Sequence, residues 1–126
     1  ISQEFHALKT QYNEESTARM RGRIDEVIDE YRRDAATLRH GEDGNDVIIA
    51  RMHTQVIQLF AMMSVLFHKD NFDLMCQAYC LGNEYIRANA IELLESQLQQ
   101  PLRRNMLRIL DGHLSLKSLK ETFELV

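Results

Sequence analysis

The stretch Gly82-Asn83-Glu84-Tyr85-Ile86-Arg87-Ala88-Asn89-Ala90-Ile91-Glu92-Leu93-Leu94-Glu95 decides the fold. Gly82 reads as the stop of one helix and Asn83 as the start of the next, because an Asn side chain can accept from the N–H groups that a helix leaves open at its first turn. Beyond it, Ile86, Ala90, Ile91 and Leu94 recur at helical spacing and predict one buried stripe. Ala90 would allow close approach of a neighbouring helix, and Arg87 could reach a carboxylate in a neighbouring turn.

Working outward, a helix over Phe72–Leu81 precedes the Gly82-Asn83 break and one over Glu84–Leu98 follows it. Pro101 suits the first turn of a further helix, Leu102–Leu110, which Asp111-Gly112 would end before a last amphipathic segment, Leu114–Leu125. Upstream, Val47–His68 is apolar almost all round in its second half, as an innermost helix is. Its most apolar run, Val56–Phe67, is shorter than the roughly 20 residues of a membrane span. Lys69-Asp70-Asn71 reads as a short turn and His40–Asp46 as the clearest loop, with Asp46 as the cap of the helix after it. Residues 1–39 are charged and helical, with a break near Asn13-Glu14-Glu15-Ser16. Phe5, Leu8 and Tyr12 mark a short first helix, and Ile24, Ile28, Tyr31, Ala35 and Leu38 mark the stripe of a longer one.

Composition agrees. Of 126 residues, five are Gly and one is Pro, far too few for the many turns of a sandwich or barrel. About half the chain consists of good helix formers. The expectation is one all-α domain over residues 1–126: six or seven helices, a long N-terminal helix, and short antiparallel pairs of α-solenoid type over residues 47–126.

The net charge of −4 comes from the first 46 residues, and no segment carries the net positive field that a phosphate backbone requires. Nucleic acid is therefore not an expected partner. Cys76 and Cys80 are too few for a disulfide scaffold. Four apart on a helix they sit about 5–6 Å apart at Cβ, too far for an unstrained bridge. They read as reduced, buried thiols in a reducing, cytoplasmic compartment. The chain starts at Ile1 and reads as a piece of a longer protein.

Asn83, Ile86, Arg87, Ala90 and Leu94 occupy the places that a HEAT repeat gives to its turn Asn, aliphatic, Arg and small residues, and the segment resembles the second-helix region of such a repeat. RANAIELLE (Arg87–Glu95), Pro101-Leu102-Arg103-Arg104 and Leu107–Asp111 narrow the likeness. They resemble the HEAT-like helical domain attached to bacterial membrane proteins of the ATP/ADP-translocase, major facilitator type. That family often has Leu and Asp where Ile91 and Glu95 stand here. The likeness spans Val47–Asp111, with Val56–Leu81 resembling the preceding helix pair, and leaves the N-terminal segment unmatched. It implies scaffolding or regulation beside a transporter-like membrane protein, tethered to the inner membrane through the rest of that protein.

Each chemical candidate has a plainer reading beside it. Asn89, if it faces inward, must be hydrogen-bonded, and Glu92 is expected to pair with an Arg. Cys76 and Cys80 share a helix face that His68 or His53 could approach, a donor set that zinc accepts. The apolar neighbours Phe72, Leu74, Met75 and Tyr79 favour packing instead, and paired CxxC or HxxxH elements are missing. His6, His40 and His113 read as exposed ends or loops. The six methionines could form an adaptable binding groove, but Met62 and Met63, in the innermost helix, read as core. No cofactor is expected.

The expectation is a non-catalytic interaction or regulatory module that docks another protein or a neighbouring domain, without inserting into a membrane itself. One rival is a homodimerising adaptor that pairs through Ile24, Ile28, Tyr31 and Leu38. The other is a metal-binding enzyme domain using Cys76, Cys80 and His68.

Overall fold

The computed structural model describes residues 2–13, 15–38, 45–68 and 71–124, the last stretch with side chains to Leu116. Six helices follow in order: α1 (Ser2–Tyr12), α2 (Thr17–Thr37), α3 (Asn45–Phe67), α4 (Asn71–Leu81), α5 (Glu84–Gln97) and α6 (Leu102–Glu124). The chain is all-α, as its composition predicts. His40–Gly44 and Lys69-Asp70 of the two expected connections lie outside the described residues.

Helix α3 is the centre. From Met52 to Leu66 almost every side chain is buried, including Val56, Ile57, Leu59, Phe60, Met62 and Met63. Helices α1, α2, α4 and α6 all pack against it, giving a bundle about one core helix. By length and composition α3 could cross a membrane, yet 56% of its apolar window is buried inside the chain by the other helices. All six methionines are buried in the same core.

The N-terminal region is two helices, broken where the sequence predicts. Ser16 caps α2 by accepting from the Arg19 N–H at 3.2 Å. Across the break, Arg23 pairs with Glu15 and lies 5.2 Å from the centre of the buried Tyr12 ring, a cation–π contact that fixes α1 against α2. Met20, Ile24, Val27, Ile28 and Tyr31 are buried, so α2 belongs to the core. Ala35, expected in that stripe, is exposed, and Leu38 is only half-buried.

Two boundaries differ from expectation. Helix α3 begins at Asn45, which places Asp46 inside its first turn rather than at the cap. Helix α6 runs straight through Asp111-Gly112, where two helices are expected. A mid-helix glycine costs only about 1 kcal/mol relative to Ala. Packing of the next turn outweighs it: His113 is buried, and Leu114 and Leu116 rest on the core.

A clasp on the solvent side joins α2 to α3. Arg51 donates from Nε and an Nη to the two Asp34 carboxylate oxygens at 2.9 and 2.6 Å, and Gln55 Nε2 adds a bond of 2.9 Å. The Arg51 hydrogen bonds hold the Asp34 carboxyl below its ordinary range. A carboxyl depressed in the folded chain favours folding once ionised, and that contribution disappears as pH falls through its folded value. Asp34→Asn should therefore lower stability near neutrality and flatten its decline below about pH 4. Urea midpoints measured from pH 7 to pH 3 test this, and parallel curves for the two proteins would refute it.

Candidate functional site

Two features stand out: a polar cluster inside the bundle and an apolar surface outside it. The cluster centres on His113 of α6, only 3% exposed although the sequence suggests an exposed end. Its Nδ1 lies 3.1 Å from the Tyr31 hydroxyl of α2, and its Nε2 lies 3.3 Å from Nδ1 of His53 on α3. The His113 ring also stacks on His53 and on Tyr79 of α4, at centroid separations of 5.6 and 6.4 Å. The Tyr79 hydroxyl donates to the Leu110 carbonyl at 2.7 Å. Burial pushes the phenols of Tyr31 and Tyr79 upward, which keeps both protonated and able to donate. Four helices thus meet in one hydrogen-bonded and stacked group, and its evident effect is to hold α6 to α2, α3 and α4. An open depression lined by Glu15, Arg19, Gly22, Arg23 and Glu26 lies along the N-terminal half of α2, away from these rings.

The cysteine candidates are core residues. Cys76 and Cys80 are both buried and reduced, and their mutual hydrogen bond together with burial pushes the Cys76 thiol up. Such a thiol is a poor nucleophile, because that role needs the thiolate. His68 is exposed at the end of α3 with φ 53°, a left-handed position of the kind that closes helices. Among the described residues no three His, Cys, Asp or Glu side chains gather as a metal site would require.

The repeat-like motif divides. Asn83 caps α5, its side chain accepting from the Ile86 N–H at 2.9 Å, and Ala90 and Leu94 are buried. Among the described residues Arg87 bonds no carboxylate. Its Nε donates to the Tyr79 carbonyl at 2.9 Å and an Nη to the Gly82 carbonyl at 3.1 Å. A cation there satisfies the open carbonyls at the end of α4 and complements the helix dipole. Asn89 is exposed rather than inward-facing, and Glu92 is exposed with no Arg partner among the described residues. Ile86, expected in the buried stripe, is 44% exposed.

Of the self-association face of the rival reading, Ile24, Ile28 and Tyr31 are buried within the chain and Leu38 is half-buried. A second copy could reach them only by lifting α2 from α3.

The outer surface comprises Leu74 and Leu81 on α4 and Tyr85, Ile86 and Leu93 on α5. They are 67%, 72%, 75%, 44% and 44% exposed. Sequence reading passes over most of them because it asks which face of each helix is buried, and α4 and α5 carry apolar residues on both.

At the turn between these helices, a Cβ on Gly82 would stand 2.4 Å from the Ala78 carbonyl and 2.7 Å from Cγ2 of Ile86. Gly82→Ala should cost about 1–3 kcal/mol because backbone must shift to admit the methyl. Arg87→Met should cost about 2 kcal/mol through the two lost carbonyl bonds. Chemical denaturation measures both, and changes below about 0.5 kcal/mol, the usual size at ordinary surface sites, would refute this account of the turn.

No family model, no curated protein and no solved structure matches this chain.

Proposed function

We propose that this chain is a non-catalytic helical module whose α4–α5 surface docks another protein or a neighbouring domain. The observation that carries the proposal is the exposure of Leu74, Leu81, Tyr85, Ile86 and Leu93 on adjacent helices. Exposed apolar residues scattered singly are ordinary, whereas several on two adjacent helices suit a contact site. The buried imidazole of His113 supports the non-catalytic reading, since both its nitrogens already face protein groups. A chain of net charge −4 with no basic stripe also suits a protein partner better than nucleic acid.

The narrower reading, that the module belongs to a larger transporter-like membrane protein and works at its cytoplasmic side, is supported by the RANAIELLE resemblance. The surrounding reading frame tests it: several apolar stretches of about 20 residues would favour it, and their absence would remove it.

The docking surface is tested by photo-crosslinking in cells. A photoreactive residue at Leu81 or Tyr85 should give a discrete adduct, and one at the exposed Arg21 of α2 should give none. Adducts of equal yield from all three positions, or from Arg21 alone, would refute the proposal.

A further inference from the structure

We infer that the paired imidazoles of His53 and His113 form an acid-sensitive latch, which seats α6 at neutral pH and releases it in mild acid. The number of protons that the contact can hold carries the inference. His53 Nδ1 and His113 Nε2 lie 3.3 Å apart, so one of them donates and the other accepts. The second nitrogen of His113, Nδ1, lies 3.1 Å from the Tyr31 hydroxyl, which can serve as donor or acceptor. With both rings neutral, these bonds close in either direction. One added proton is also accommodated: a charged His53 donates to Nε2 of a neutral His113, whose Nδ1–H then donates to Tyr31. A second proton is not. It places an N–H on each of the two facing nitrogens, so two donors of like charge meet where a hydrogen bond stood. His113 is buried, so its ring has no room to turn that N–H to solvent while α6 stays seated.

Once α6 leaves, the two rings titrate separately at about 6.5 and together bind two protons where the seated pair holds one. Release therefore takes up a proton, and the seated state loses stability as pH falls through this range. The groups that face the rings from other helices titrate elsewhere. Tyr31 of α2 and Tyr79 of α4 keep their protons throughout, because burial pushes both phenols up. Around Tyr79, Arg87 of α5 and Asp111 of α6 act with opposite signs, and Cys80 is a buried thiol. On α3, Arg51 is held by Asp34, and that clasp weakens only in the carboxylate range. His6 of α1 gains attraction to Asp73 when protonated, which is the opposite sign. Release of α6 uncovers Met106, Ile109 and Leu110, all buried while it is seated.

The test is amide hydrogen exchange on the full 126-residue chain, corrected for the intrinsic effect of pH on exchange. The opening constant of residues 106–116 should rise about five- to tenfold from pH 6 to pH 5, since uptake of one proton sets a limit of tenfold per pH unit. It should also exceed the opening constant of residues 56–66 in α3. No rise would overturn the inference, and so would equal opening of the two segments, because the bundle would then open as a whole. In His53→Asn the side-chain amide takes the place of Nδ1 and can turn its oxygen to accept from a charged His113. The rise should shrink to about twofold or less there. An unchanged rise would overturn the inference, since burial of His113 alone would then account for it. Imidazole nitrogen signals of the unaltered chain give a reading that needs no variant. At pH 5 the folded chain should hold one charged and one neutral ring in this pair. Two charged rings, or two independent titrations at about 6.5, would overturn the inference.

Discussion

Helix α3 is apolar around most of its circumference, and a helix of that kind must be covered on every side. Its second half buries eight consecutive side chains, Leu59–Leu66, with Ser64 the one polar residue among them. Each fully buried aliphatic or aromatic side chain contributes about 1.5–3 kcal/mol relative to exposure, so leaving any one side of α3 open would be costly. That single requirement accounts for the arrangement. Helices α1, α2, α4 and α6 supply the cover, and α5, which need not touch α3, is left at the periphery with only Ala90 and Leu94 buried. The most exposed apolar surface and the least buried helix therefore coincide.

Most of the helices were legible in the sequence because strong punctuation separates them. Asn13–Ser16 and Gly82-Asn83 break the chain where local chemistry supplies a cap, and the caps at Ser16 and Asn83 form as those residue types imply. Punctuation failed at Asp111-Gly112 because glycine weakens a helix without ending one, and burial of the following turn compensates. Losing that continuity hid His113. On an unbroken helix, Met106, Ile109 or Leu110, His113 and Leu116 fall at successive turns of one stripe, and the histidine would have been placed inside.

The surface was harder to read for a different reason. Periodicity shows which positions could face a core, but α4 and α5 have apolar residues on two faces, and only the position of α3 decides which is covered. Arg87 illustrates the same limit. Its place in the motif suggested a carboxylate partner, whereas the carbonyls closing α4 lie nearer and hold it. Which acceptor wins is a matter of three-dimensional distance, and residue spacing alone does not supply it.

The imidazole of His113 has a consequence for how α6 is seated. Apolar side chains such as Met106, Ile109 and Leu110 could fill the same space with the rod rolled or slid by a turn, since dispersion contacts hardly discriminate among such arrangements. Only one setting brings both ring nitrogens to Tyr31 and His53. Every other would strand polar atoms in the interior at about 1–3 kcal/mol apiece. One histidine therefore works as an alignment key for the final rod, giving a greasy and otherwise permissive contact a unique orientation.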